Sequence, residues 1–300
     1  MLDFFQYGFL QRSLVAAILI GAIAPSVGVF LVLRGLSFIS AGIAHAAFAG
    51  VTFGFLTGLN PLIMAFLFSL ASTGLIDLVE RYGELKYDAA IGMFFSLTMA
   101  LAIIFIGLME GYNAEVMGYL FGNILSITIQ DIYAIIAVSI LTGFYIRVFF
   151  KELHFITFDE SLALASGLKV TPIFTGFLLV TALTIVVSLK SVGVILVFAL
   201  IVIPAAAAYQ LTHRMGIMMF WAIIFGVLST ISGMFLSYFL DLPSGATIVV
   251  VNSLIFAGAW LYSPKKKKCE PTALEANERE RAEGRAEDVR QPQPVQEKQT

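Results

Sequence analysis

The chain has 300 residues, of which 59% are hydrophobic and only 13% are charged, and its mean hydropathy is +0.92. A water-soluble domain of this size cannot bury so much apolar surface, so the composition excludes one and indicates an integral membrane protein. The formal net charge of −2 gives no basic excess, and the sequence offers no basic face for nucleic acid.

Nine apolar segments approach the length of about 20 residues that a membrane-spanning helix needs. They are Ser13–Leu33, Phe38–Leu59, Pro61–Val79, Ala89–Met109, Ile132–Phe150, Pro172–Leu189, Val192–Leu211, Ile217–Leu240 and Ala246–Leu261. Only Asn60 separates the second and third segments, which leaves a re-entrant or broken arrangement open, with eight full spans as the alternative. We predict an all-α integral membrane fold, a polytopic bundle of 8–9 transmembrane helices in the lipid bilayer.

The predicted domains are a transmembrane domain over residues 1–263 and a charged tail over residues 264–300. The tail begins with Lys265–Lys268 and has no large aromatic residue, so we predict that it is mainly disordered. Cys269, in this tail, is the single cysteine of the chain, which excludes an intrachain disulfide.

Basic residues between the segments predict the orientation. Most of them fall on one side of the predicted topology, and the other side has only Arg12 and Lys190 before the tail. The basic side holds Arg34, Arg81, Lys86, Arg147, Lys151, Lys169, Arg214 and Lys265–Lys268. Short loops rich in Lys and Arg stay in the cytoplasm, so we expect a cytoplasmic C-terminus and, with nine spans, an external N-terminus.

His45 lies near the middle of an apolar span that is rich in glycine and alanine. An ionisable side chain at membrane depth is expensive and marks a candidate functional site. Imidazole is the commonest metal ligand, but His45 could equally do no more than bond to a neighbouring helix, and both interpretations stay open. The small residues around it predict close helix packing.

The predicted cytoplasmic loop at 151–171 contains a candidate short helix. Asp159 and Glu160 suit the first turn of a helix and Gly167 suits its end, which predicts about two turns outside the bilayer. A helix this short needs a surface to dock on, either the spans of this protein or a cytoplasmic partner. The sequence has no phosphate-binding loop and no nucleophile paired with a base, so we expect a chain that is not an enzyme.

Six short motifs, taken in order, together resemble one family. They are Gly35-Leu36-Ser37-Phe38 leading to His45-Ala46; Asp88-Ala89-Ala90-Ile91-Gly92-Met93-Phe94-Phe95-Ser96; Tyr119-Leu120-Phe121-Gly122-Asn123-Ile124-Leu125; Phe158-Asp159-Glu160 with Gly167-Leu168; Val192-Gly193 through Ile203-Pro204-Ala205-Ala206; and Leu236-Ser237-Tyr238 with Asp241-Leu242-Pro243-Ser244-Gly245. Over residues 10–262 the chain resembles the membrane permease subunit of the zinc/manganese/iron family of ATP-binding-cassette (ABC) importers, with a metal-ABC-permease, type II importer-like architecture.

That resemblance implies a permease dimer in the cell (plasma or inner) membrane, with separate ATPase subunits in the cytoplasm and an extracytoplasmic metal-binding protein. It implies a transported divalent ion, which is zinc, manganese or iron, and no permanently bound cofactor. Phe158, Asp159, Glu160, Gly167 and Leu168 then resemble the coupling helix that contacts the ATPase. His45 matches the family histidine on the metal path.

The chain departs from the family at Ala41, where the family commonly has an aspartate one helical turn before the histidine. A lone imidazole is a poor site for a divalent ion, so we look for oxygen donors elsewhere. Ser40, Asp241 and Asn252 are the candidates by chemistry.

The mechanism that the resemblance implies is alternating access, in which ATP binding and hydrolysis in the partner open the permease inward. An ABC permease for cobalamin, haem or a siderophore would need a wide apolar path and no histidine. An ion-coupled secondary carrier would need several ionisable groups in its spans, and a membrane scaffold that transports nothing would need neither His45 nor the 158–168 loop.

Overall fold

The computed structural model describes residues 8–83, 85–109, 114–122 and 127–263, and these residues form helices and connecting turns with no strand. The helices are α1 (Gly8–Leu33), α2 (Ile39–Thr57), α3 (Pro61–Tyr82), α4 (Tyr87–Leu108), α5 (Ala114–Phe121), α6 (Ile129–Val148), α7 (Phe150–Phe158), α8 (Glu160–Ala165), α9 (Val170–Val192), α10 (Val194–Leu211), α11 (Met215–Leu240) and α12 (Ser244–Leu261). The predicted all-α membrane fold is confirmed.

Within the described ranges, nine helices are long and apolar enough to cross a membrane, and they correspond one to one to the nine predicted segments. The short link between α2 and α3 is a sharp turn between two helices. Gly58 ends α2 in the left-handed conformation, with φ of 71°, and the Asn60 side chain accepts a hydrogen bond of 3.0 Å from the backbone N–H of Leu62 to start α3. These two caps explain how so few residues reverse the chain.

Helix α2 is the most buried of the nine candidate spans and packs against α3, α4, α9 and α10. Its small residues allow this, as the sequence predicts. A side-chain carbon placed on Gly50 would overlap the backbone of Met64 in α3, so the two helices approach at a distance that only glycine permits. Helix α1 packs on α10 and α11, and α12 packs on the same two helices from another side.

Side-chain contacts define the two ends of the bundle. At one end, Arg34 after α1 contacts Glu160 of α8 and Phe174 near the start of α9, and Tyr87 at the start of α4 contacts Asp77 near the end of α3. We call this the Arg34 end. At the other end, which we call the Asn60 end, Phe55 of α2 contacts Tyr119 of α5.

Lys190 of α9 bonds to Asp131 of α6 at the Asn60 end as well, with 2.8 Å between Nζ and Oδ1. The α9–α10 turn there depends on two glycines. Gly193 has φ of 84° and ψ of 161°, which side chains disfavour, and its backbone lies against Gly122, whose φ is 74°. Helix α5 is a short helix between α4 and α6 at this end.

By their contacts, the described residues up to Leu261 form one compact unit. The predicted tail at 264–300, including Cys269, lies outside the described residues. Helix α7 differs from the prediction, in which the fifth span extends to Phe150 and a loop follows it. Leu153 and Ile156 of α7 are buried against the bundle, which explains why this stretch is ordered as a helix.

Candidate functional site

A cavity of about 840 Å³ lies between α2, α4 and α10 and contains His45. Its lining is mostly apolar, with Ala41, Ile91, Gly92, Phe95 and Phe198 among the wall residues. Gly35, Ser37 and Phe38 line it from the α1–α2 turn, and Asp88 lines it from the first turn of α4. Gly35, Phe38 and Asp88 are exposed at the Arg34 end, so the mouth of the cavity is there, and the opening continues along α4 to exposed Gly92.

The His45 ring is held in a defined position inside the cavity. Its Nδ1 lies 2.9 Å from the carbonyl oxygen of Ala41, so Nδ1 donates a hydrogen bond and the lone pair of the neutral ring is on Nε2. The ring also contacts Phe95, with 4.4 Å between the ring centroids. An imidazole whose other nitrogen bonds to a backbone carbonyl is the usual arrangement of a histidine metal ligand.

Ala41 occupies the place where a second ligand would be most useful. It lines the cavity one helical turn before His45. Its methyl group supplies no donor, and its carbonyl already accepts the hydrogen bond from His45. The His45 level of the cavity therefore has one nitrogen ligand where an aspartate at 41 would add a carboxylate.

Asp88 is a cavity residue that the site prediction missed. It was noted only as part of a family motif, and nothing in its local sequence separates it from an ordinary acidic residue at a helix start, where the helix dipole favours negative charge. The packing of α4 on α2 brings it to the cavity. Asp88 precedes Phe95 by seven residues, which is about 10 Å along a helix, so it lies two turns from the level of His45.

The other three predicted ligands do not line this cavity. Ser40 is fully buried and donates a hydrogen bond of 2.8 Å to the Ser37 carbonyl. Asp241 ends α11 at the Asn60 end in a left-handed conformation, with φ of 54°. Asn252 is fully buried against α10, where its amide nitrogen lies 3.5 Å from the Ala199 carbonyl.

Among the described residues, no group of three or more His, Cys, Asp or Glu side chains could hold a metal ion. His45 contacts Phe95, and Asp88 lies about 10 Å from Phe95 along α4, which separates the carboxylate from the level of the imidazole. The cavity therefore provides two separate single-ligand positions, one near the middle of α2 and one at the mouth, and an ion at either would keep most of its water.

The segment at 158–168 contains a short helix close to the predicted length of about two turns. Phe158 is the last residue of α7, and Asp159 is the N-cap of α8, whose side chain accepts a hydrogen bond of 2.9 Å from the Leu162 N–H. Helix α8 has only six residues, and Gly167 follows it with φ of 83°. The helix divides at Asp159 because this side chain caps the next turn.

Helix α8 is anchored on one side and exposed on the other. Ala163 is fully buried, whereas Phe158, Leu162 and Leu164 are each more than half exposed. Leu168, after the helix, packs against the core. Exposed apolar side chains therefore lie on both sides of buried Ala163 and on the last residue of α7, at the Arg34 end.

Comparisons with known proteins agree on one class. The sequence profile described as the ABC 3 transport family matches residues 6–263. The manganese transport system membrane protein MntC of Halalkalibacterium halodurans is 36% identical over 261 residues, which cover 87% of this chain and 89% of that protein. A probable iron transport system membrane protein of Haemophilus influenzae is 32% identical over 267 residues, covering 88% of this chain and 94% of that protein.

A solved structure has the same fold. PsaBC from Streptococcus pneumoniae in complex with Fab includes a chain that is 33% identical, with a TM-score of 0.79, over 89% of this chain and 96% of that one. The similarity in sequence and in structure therefore extends over most of the membrane helices, including those that form the cavity.

Proposed function

This chain belongs to the ABC 3 transport family, which confirms the resemblance seen in the sequence, and we propose that it is the membrane permease subunit of a manganese importer. Import of a transition metal is the function that the family and the relatives support. Manganese is the cargo named for the bacterial relative MntC, at 36% identity, and the iron relative is more distant, at 32%.

The observation that carries this proposal is the His45 cavity. Manganese accepts imidazole nitrogen and prefers carboxylate and water oxygen, and the cavity offers one imidazole, one carboxylate and room for water. We infer that the ion is held in turn near Nε2 of His45 and near the Asp88 carboxylate while it keeps most of its water. Weak successive sites suit transport, since an ion that binds tightly at one site is not released.

We infer that the Arg34 end faces the cytoplasm, in agreement with the basic loops, and that the cavity mouth is the exit. In that orientation the exposed apolar side chains of α8 are available to a cytoplasmic ATPase subunit. An extracytoplasmic binding protein would deliver the ion at the Asn60 end, and two permease chains would form the path. ATP hydrolysis in the partner would then drive alternating access.

Uptake of labelled manganese, iron and zinc by cells that carry the complete transport system tests the proposal. We expect manganese to accumulate in the wild type, and both His45→Ala and Asp88→Asn to reduce its initial uptake rate at least tenfold with normal amounts of protein in the membrane. His213→Ala is the matched control, because His213 is exposed in the α10–α11 turn away from the cavity, and it should transport normally.

The same uptake experiment, with labelled cobalamin added, distinguishes manganese import from import of iron and from import of a metal chelate. Accumulation of iron alone, with the same dependence on His45, would reassign the cargo to the metal named for the Haemophilus relative. Uptake of labelled cobalamin in place of any free metal would assign the large apolar cavity to a chelate. Metal uptake that is unaffected by His45→Ala would remove His45 from the path.

A further inference from the structure

Arg34 joins three helices at the mouth of the cavity. It follows α1, its side chain is only 11% exposed, and it forms an ion pair with Glu160, the first residue of α8. Its guanidinium carbon also lies 3.9 Å from the centroid of the Phe174 ring in α9. An arginine that is paired with a carboxylate and stacked on an aromatic ring has little freedom to move independently of either.

The contacts of Phe174 extend this arrangement to α4 and α3. The Tyr87 ring meets Phe174 edge to face, with 6.4 Å between centroids. The Tyr87 hydroxyl donates a hydrogen bond of 3.2 Å to Asp77, which also accepts one of 3.1 Å from Thr175. We define the Arg34 cluster as Arg34, Asp77, Tyr87, Glu160 and Phe174.

The cluster is continuous with both sides of the cavity mouth. Gly35, which lines one side, directly follows Arg34 in the chain, and Asp88, which lines the other, directly follows Tyr87. The contacts therefore form a continuous path from Glu160 to Arg34 and the α1–α2 turn, and from Arg34 through Phe174 to Tyr87 and the start of α4. Mechanical coupling between helices needs a contiguous set of packed and bonded side chains, and the cluster provides one.

We propose that the Arg34–Glu160 ion pair is the link by which the ATPase-docking helix α8 controls the width of the cavity mouth. This rests on the proposed function, since it assigns to the pair the coupling of ATP hydrolysis to opening of the metal path. Arg34 and Glu160 are positioning residues in this scheme, because neither lines the cavity.

Transport per ATP is the first measurement, made on the complete importer with its ATPase in proteoliposomes. We expect Arg34→Gln and Glu160→Gln each to lower the manganese transported per ATP hydrolysed at least fivefold, with ATP hydrolysis retained within twofold. The double variant should be no worse than the more affected single variant, because the two changes remove the same interaction. Lys169→Gln, which changes an exposed basic residue next to the same segment, is the control and should transport normally.

A second measurement does not depend on the cargo. In a Cys269→Ser background, the thiol of Ser37→Cys would report the width of the mouth, since Ser37 lines the cavity. We expect a nucleotide analogue that resists hydrolysis to change its rate of labelling at least threefold, and Glu160→Gln to abolish that change. A wild type that transports no metal would end the proposed function, while the labelling result still decides the link.

Two results would overturn the link. One is a nucleotide-dependent labelling change that persists in Glu160→Gln. The other is a double variant whose loss of coupling equals the product of the two single losses, since that would mean that Arg34 and Glu160 act independently. Glu160 is about half exposed, so the Glu160→Gln chain is expected to fold and reach the membrane, and it tests the link even where Arg34→Gln does not accumulate.

Discussion

At the scale of single residues, His45 and Ala41 together determine how strongly the metal position that we propose could bind an ion. The imidazole is oriented by its bond to the Ala41 carbonyl, but the alanine methyl adds no ligand beside it. The site is thus a weak one by composition, with water completing the coordination of any bound ion. This suits an ion that is delivered to the chain and must leave it again.

Ala41→Asp would place a carboxylate in the cavity one helical turn from His45. We expect the dissociation constant for manganese of the purified permease to fall about tenfold, which corresponds to about 1.4 kcal/mol. The gain should be lost in Ala41→Asp combined with His45→Ala. Titration calorimetry measures it, and Ala41→Asn is the control of equal size without charge; equal affinity of the two variants would show that residue 41 does not reach the ion.

At the scale of elements, α8 shows how a very short helix is stabilised. Six residues cannot hold a helix in isolation, so its stability comes from the Asp159 cap, buried Ala163 and the Glu160 bond to Arg34. These contacts use one side of the helix. Leu162 and Leu164 of α8 and Phe158 of α7 are left exposed, and these apolar side chains form the docking site that we propose.

Replacing both Leu162 and Leu164 by serine should weaken the association with the ATPase subunit, because it removes apolar area from the proposed contact. We expect at least fivefold less ATPase to remain with the purified permease, at unchanged permease yield. Leu59→Ser, an exposed leucine in the α2–α3 turn at the Asn60 end, is the matched control. Full retention of the ATPase by the double serine variant would exclude this surface as the docking site.

At the scale of the whole molecule, the bundle has one end with the cavity mouth, α8 and the Arg34 cluster, and another with α5, the α2–α3 turn and the Lys190–Asp131 pair. The basic loops predict that the first of these ends is cytoplasmic. The proposed ATPase-docking surface, the Arg34 cluster and the proposed exit for the ion then all lie on the cytoplasmic side of the membrane.

The single native cysteine, Cys269, allows a direct test of this orientation. We expect a membrane-impermeant maleimide to leave it unlabelled in intact cells and to label it after the membrane is permeabilised. A chain with Cys269→Ser and Leu59→Cys should show the opposite pattern, with labelling in intact cells. Labelling of Cys269 from outside would reverse the topology and with it the assignment of the cavity mouth as an exit.

Much of this protein was predictable from its sequence, for a physical reason. A bilayer accepts only long apolar helices or closed barrels, so hydropathy and length alone located each of the nine candidate spans among the described residues to within about five residues, although they left eight full spans open as an alternative. The small residues of α2 likewise indicated its central, closely packed position, and the glycine at 167 indicated where the short helix ends. Each of these features depends on local composition.

The tertiary structure decided what depends on contacts between distant parts of the chain. Asp88 enters the His45 cavity only because α4 packs on α2, whereas Ser40, Asp241 and Asn252, which have suitable chemistry, are directed elsewhere by their helices. Arg34 and Glu160 are 126 residues apart, and no sequence pattern relates them. Helix periodicity and bilayer thickness constrain the residues of one continuous segment, so the sequence reveals their effects. The partners of a side chain across the bundle depend on how the helices pack, which no local pattern records.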